Sequence, residues 1–363
     1  MEKQSILSQT RGDLAAVCAG VGVPEVHARS LMQCVYRDWQ AEYEKPEYKL
    51  PRKLIHALAA NFEFSPLKVE QSLTSAYDGS VKFLIGLSDG NNVEAVLMPE
   101  NSRVTLCLSS QVGCQRRCAF CHTGRMGLTR NLTAAEIIGQ FEVASRWIKE
   151  NPQWLPANTE ATRITNLVFM GMGEPLDNLS AVMRAIKIFS DPLGINISVR
   201  KIAVSTVGRL EQLKQLIHEI PDISLAFSLH GTTHGERNRL VPANRESSYV
   251  ELLEFFKEYF RGLRNKRAFL LVQYILIRDV NDTTEHAGRL VEILKDVPVK
   301  VNLIPFNEVA PLKFSGPSPD KMQAFRDVLH KAGLRSMIRY SKGQDIAGAC
   351  GQLANCNSLK TQG

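Results

Sequence analysis

From residue 109 onward, short apolar runs alternate with longer segments whose apolar residues recur at helical spacing. The runs at 164–169, 201–205, 223–229, 269–277, 300–305 and 336–340 read as strands. Helices are expected to begin near Thr133, Leu179, Arg209, Ser247, Asp282 and Ser318. Thr133 and Glu136 stand three apart, the spacing of a capping box. This alternation demands a parallel sheet joined by right-handed crossovers, which makes the chain α/β. About six repeats suit a partial, open (β/α)6 barrel. Its functional groups belong at the carboxyl ends of the strands.

The region before the repeats reads differently. Runs at 81–87 and 93–98 flank Ser88-Asp89-Gly90-Asn91, a strong turn signal, so a hairpin is expected. A third strand, 103–109, leads into a cysteine-rich loop. Residues 1–75 read as a small helical accessory domain, with helices at 13–20, 26–39 and 52–62. Lys45, Lys49, Arg52 and Lys53 lie around a linker there, as a solvated helix face or an RNA-binding one. The expected division is 1–75 helical, 76–110 hairpin and entry strand, 111–341 barrel, and 342–363 a loop-like tail.

Composition excludes several classes. The opening MEKQSILSQTRGDL lacks the apolar core of a signal peptide. The longest apolar stretch, 269–277, is too short to cross a bilayer and contains Gln273. Eight cysteines in 363 residues do not make a disulfide scaffold, so reduced thiols and a cytoplasmic location are expected. The net charge of +7 favours a polyanionic partner such as nucleic acid.

Three of the cysteines, Cys114, Cys118 and Cys121, form C-x3-C-x2-C in the run GCQRRCAFCHTG. Clusters of four irons normally take four thiolates, so three suggest a cluster with one iron open to a non-protein ligand. A zinc site completed by His122, or three unconnected buried thiols, are the alternatives. Polar groups recur at the expected strand ends. They are Gly-Met-Gly-Glu-Pro at 171–175, Ser205-Thr206, Ser228-Leu229-His230 and Phe306-Asn307. Cys107 lies on the strand feeding the cysteine loop. Cys350 sits among small residues in the tail, where it is expected to be accessible and nucleophilic. Cys18, Cys34 and Cys356 read as inert.

The cysteine spacing with Phe120 before the third Cys resembles the radical S-adenosylmethionine (SAM) superfamily, and Gly171 to Pro175 resembles its "GGEP" element. GCQRRCAFCHTG, RMGLTRNLTAAEI, FMGMGEPL, FSLH, VNLIPFN and GQDIAGACGQL together resemble the RlmN/Cfr family of radical SAM RNA methyltransferases across about residues 80–355. His122 stands where that family often carries a small residue. The resemblance implies a radical-SAM barrel holding one 4Fe-4S cluster on Cys114, Cys118 and Cys121, with SAM on the open iron. Gly173, Glu174, Ser205, Ser228, Leu229, His230 and Asn307 are then the candidate SAM contacts. Two SAM are consumed per turnover. Cys350 takes a methyl group from the first, and a deoxyadenosyl radical from the second activates that methyl for addition to an adenine. Cys107 then attacks Cys350, releasing the product through a transient disulfide. Glu94 matches the family's general base; without the resemblance it would read as a surface strand residue. Implied partners are 23S ribosomal RNA or transfer RNA and an electron donor such as flavodoxin or ferredoxin, with the protein a monomer. Carbon 2 of adenine is the expected target, with carbon 8 the alternative. Arg116, Arg117, Arg125, Arg130, Arg237, Arg239 and Arg245 are candidate phosphate contacts. A radical SAM enzyme with another substrate and a non-catalytic RNA-binding relative compete with this reading.

Overall fold

Runs of aliphatic and aromatic residues bounded by turns build one ten-stranded sheet in the computed structural model, which describes residues 3–155, 161–263, 265 and 268–354. Its strands are β1 (Lys68–Thr74), β2 (Val81–Gly86), β3 (Asn92–Glu100), β4 (Arg103–Leu108) and β5 (Asn166–Phe169). They continue as β6 (Ile202–Thr206), β7 (Ser224–Ser228), β8 (Leu270–Leu276), β9 (Val299–Pro305) and β10 (Arg335–Ile338). The strands lie side by side in sequence order, with β1 and β10 at the two edges. Pairing is antiparallel from β1 to β4 and parallel from β4 to β10. The sheet therefore stays open, a partial barrel. The six strands expected after the cysteines are β5 to β10. The seventh parallel strand is β4, which also completes the hairpin region and so belongs to both halves.

Four of the six long crossover helices among the described residues begin at a side-chain cap. Thr133 accepts from the Glu136 N–H at 3.1 Å while the Glu136 carboxylate accepts from the Thr133 N–H at 2.8 Å, starting helix Ala134–Glu150. Five further long helices follow among the described residues, at Leu179–Ser190, Leu210–Glu219, Tyr249–Gly262, Thr284–Leu294 and Pro319–Lys331, with a short one at His234–Leu240. Strand β8 is buried along almost its whole length, as a covered parallel strand must be.

Helices Arg11–Gly20, Val26–Tyr36 and Arg52–Asn61 form the expected N-terminal group. They pack on the barrel's outer helices. The Trp39 and Phe141 rings lie 5.9 Å apart, and Arg184 donates to the Ser8 carbonyl at 2.9 Å. Strand β1 departs from the helical expectation for 1–75. It is a polar edge strand with a bulge between Val69 and Gln71, so no clean alternation marks it. Its two apolar residues, Val69 and Leu73, are four apart, a spacing that imitates a helix.

Among the described residues the tail holds no helix or strand, and residues 341–354 lie across the barrel mouth. Gly343 N–H donates to Asp78 at 2.8 Å, Asp345 accepts from Ala76 N–H at 3.1 Å, and Thr123 donates to the Leu353 carbonyl at 2.6 Å. Cys356 and the rest of the tail lie outside the described residues. Among the described residues no helix is long and apolar enough to cross a membrane.

Candidate active site

The cysteine loop is held at both ends. Gln111–Cys114 pairs with Gly127–Asn131 as a two-stranded ribbon, bringing the chain back on itself around the three cysteines. The ribbon closes so tightly at Gly113 (φ +77°) that a Cβ would lie 1.9 Å from the Gly127 carbonyl oxygen. Asn178, just before helix Leu179–Ser190, clamps both ends of the loop by donating to the carbonyls of Ser110 and Leu132 at 2.8 and 2.7 Å.

Cys114, Cys118 and Cys121 line one wall of a cavity with about 930 Å³ of empty space, its open mouth included. Phe169, Ser205, Ser228, Gln273 and Ile304, from five successive parallel strands, line the same cavity, as only a curled sheet allows. Burial pushes all three thiols up, Cys114 to about 12, and the cysteines raise one another further. Three such groups become thiolates together only where bound positive charge offsets their repulsion. That donor set fits an iron–sulfur cluster, which spreads its thiolates over separate irons. Among the described residues no three Cys, His, Asp or Glu side chains close on one point as a single zinc ion requires.

Opposite the cysteines stands Glu174. It is buried, and its pKa is pushed up to about 7 by that burial against hydrogen bonds that oppose it. Its carboxylate accepts from Val207 N–H at 3.0 Å and Leu176 N–H at 3.1 Å. Lone pairs remain for a cationic ligand group. Gly173 (φ +101°) passes so close to Gln111 that a Cβ would approach its side chain to 2.6 Å. Ser205 and Ser228 place their hydroxyls 3.3 Å apart on the cavity wall. His230 accepts from Ile275 N–H through Nδ1 at 3.0 Å, and burial drives its pKa down to about 3. The ring is therefore neutral with its proton on Nε2, and Phe120 meets it edge-on at 4.7 Å.

Two of the candidate SAM contacts are placed elsewhere. Leu229 is fully buried and does not line the cavity. Asn307 donates to the Ser341 hydroxyl at 2.9 Å and the Cys350 carbonyl at 3.1 Å, so it holds the tail.

Cys350 is exposed at the junction of two cavities. It borders the large one beside Cys121, and also a smaller one, about 500 Å³, that contains Cys107. Cys107 is buried and pushed up to about 12, first by burial and then by the nearby Cys350. No disulfide is formed among the described residues, whose seven cysteines are free thiols. Glu94 is a buried residue, not a surface one. Its carboxylate pairs with Lys82 at 3.1 Å and accepts from Ala354 N–H at 2.9 Å.

The arginines divide into two groups. Arg237 is fully buried and donates to the carbonyls of Ser228, Leu229 and Val207 and to Asn244, so it braces the strand ends and cannot meet a phosphate. Arg116 is buried against Asp177 and Glu246, and Arg130 is paired with Asp89 and Glu136. Arg117, Arg125, Arg239 and Arg245 are exposed.

Lys82 escaped the sequence reading, and Gln273 entered it only as the polar residue of an apolar stretch. Each is a polar residue inside an apolar strand run, a signal that a buried partner is required.

Residues 108–291 match the Radical SAM superfamily. The dual-specificity RNA methyltransferase RlmN of Ruthia magnifica subsp. Calyptogena magnifica is 38% identical over 354 residues, covering 98% of this chain and 96% of that protein. The protein of the same name from Dinoroseobacter shibae is 40% identical over 360 residues, covering 97% and 89%. The crystal structure of a radical SAM methyltransferase from Sphaerobacter thermophilus superposes with a TM-score of 0.86 at 35% identity, covering 97% of this chain and all of that one. An open barrel with three cysteines facing a buried carboxylate is thus a radical SAM protein. Over nearly its whole length, the chain belongs to the RlmN family of RNA methyltransferases.

Proposed function

We propose that this chain methylates an adenine ring carbon of RNA, carbon 2 in preference to carbon 8, with Cys350 as the methyl carrier. The observation that carries the reading is the position of Cys350, between the cavity of the three cysteines and the cavity of Cys107. The names of the RlmN relatives support an RNA substrate, and their dual specificity fits 23S ribosomal RNA and transfer RNA as alternative targets.

Cys114, Cys118 and Cys121 would hold a 4Fe-4S cluster. With SAM on its open iron, that cluster would supply the electron that cleaves SAM to a deoxyadenosyl radical. Glu174 is the acceptor for the SAM ammonium, with Gly173 giving close backbone approach and Ser205, Ser228 and the His230 Nε2–H offering polar contacts to the rest. Cys350 acts as the nucleophile toward the methyl of a first SAM, so each turnover uses two. Cys107 lies in the second cavity to receive the Cys350 sulfur afterwards, which frees the product and leaves a disulfide for reduction. Glu94 is the base for the ring proton once one of its oxygens is released from the tail. The adenine enters splayed from its strand, with Arg117, Arg125, Arg239 and Arg245 neutralising phosphates. A flavodoxin or ferredoxin suits the electron supply. The N-terminal helices form an accessory RNA-contacting domain, and the protein works as a cytoplasmic monomer.

The test is anaerobic incubation of the reconstituted protein with SAM, reductant and unmodified ribosomal or transfer RNA, followed by mass spectrometry of the nucleosides. 2-Methyladenosine is the expected product. 8-Methyladenosine would keep the chemistry and move the target atom. Neither product, with SAM still cleaved, would overturn the RNA assignment.

A further inference from the structure

Lys82 is a lysine in an otherwise apolar strand, VKFLIG, and its side chain is only 9% exposed. Burying an ammonium is costly unless it is paired and its other donors are satisfied. Two partners meet it here: the Glu94 carboxylate at 3.1 Å and the backbone carbonyl of Ala347 at 3.2 Å. The first belongs to β3 and the second to the tail, three residues before Cys350. The other oxygen of Glu94 accepts from Ala354 N–H at 2.9 Å, four residues beyond Cys350. One ion pair thus holds the Cys350 segment on both flanks, and the tail in turn fixes the Glu94 carboxylate.

We propose that Lys82 is a positioning residue that couples the seating of the Cys350 segment to the orientation of Glu94. It touches no reacting atom in this role. With the tail seated, Ala354 occupies the Glu94 oxygen that a base would use, and Cys350 faces the cavities. When the 351–354 flank lifts, that oxygen is freed while Lys82 keeps the carboxylate in place and retains the 347 flank. The same lysine therefore lets one end of the segment move without losing the other. The inference rests on the carrier role of Cys350 and the base role of Glu94 for its catalytic meaning, but the clamp itself is a matter of contacts.

The experiment compares Lys82→Met, Lys82→Arg, Glu94→Gln and the double variant Lys82→Met/Glu94→Gln as full-length, cluster-loaded protein. Hydrogen exchange is read in the tail peptide spanning 342–354 and, as an internal reference, in the peptide carrying β8. Losing one partner of a buried charged pair should raise tail exchange by about 10-fold in Lys82→Met while β8 stays protected. Lys82→Arg should stay within about 3-fold of the parent, because its guanidinium keeps the charge and the donors. The double variant should add little to either single change, the signature of residues acting on one contact. RNA methylation should lose about 10-fold in kcat with the KM for SAM within about twofold. Equal loosening of the tail and β8, or unchanged tail exchange in both Lys82→Met and Glu94→Gln, would overturn the clamp. If the clamp responds as expected while the parent protein methylates no RNA, the proposed function fails and the clamp stands.

Discussion

Cys107 and Cys350 show how surroundings divide the work of one residue type. Burial holds Cys107 as a thiol, whereas Cys350 stands exposed. Cys350→Ala should abolish RNA methylation while the visible absorbance of the bound cluster is unchanged. Cys107→Ala should leave a covalent RNA–protein adduct on a denaturing gel, and normal turnover by that variant would remove Cys107 from the pathway. Glu174 gives a pH prediction. Its folded pKa, about 7, lies above the ordinary carboxylate value of 4.5, so its contribution to stability is complete below about 4.5 and is lost as pH rises through 7. In the SAM-free protein, Glu174→Gln should therefore gain stability relative to the parent at pH 8 and not at pH 4.5, as read by urea midpoints. Much of the candidate site was legible because its residues sit in fixed spacings: the three cysteines, Glu174 after two glycines, and Cys350 among small residues. Lys82, Gln273 and the structural role of Arg237 were not legible, because each depends on which group from another element a buried charge or amide meets: a carboxylate, the Met170 sulfur, and backbone carbonyls.

At the scale of elements, four of the six long crossover helices declare themselves through caps, the other two through apolar residues at helical spacing, and most of the parallel strands through apolar runs. Thr133→Ala removes one half of a reciprocal cap and should cost about 1 kcal/mol, visible as a lower urea midpoint. The elements missed by the sequence reading are those whose register is set by a neighbour. The ribbon Gln111–Cys114 with Gly127–Asn131 is short and polar, and β1 is a bulged edge. The cysteine loop also carries a prediction about RNA. Removing the exposed Arg117 and Arg125 together should flatten the dependence of log affinity on log salt by about 1.5, at roughly 0.7–0.9 per phosphate contact. The paired Arg116 and Arg130 should instead register in stability, and an unchanged salt slope in the double variant would take the loop out of the interface.

The molecule as a whole carries a charge of +7 on a scaffold whose cavity gathers five strand ends, so its two ligands should act on different observables. RNA binding should weaken with salt. SAM at a hundred times its Kd should raise the stability of the cluster-loaded protein by about 2.7 kcal/mol, and no shift would exclude it from this cavity. The strict sequence order of the ten strands has a kinetic meaning as well. Each strand finds its predecessor's edge as a template, so the sheet can grow by addition with short searches. The tail is the exception, because Ala354 meets Glu94 across 260 residues and Lys82 meets Ala347 across 265. Their anchors exist only after β2 and β3 have paired, and the tail follows β10, the last strand of the sheet. Refolding should therefore end with this step: a complete barrel comes first, and the segment carrying Cys350 reaches its seat last.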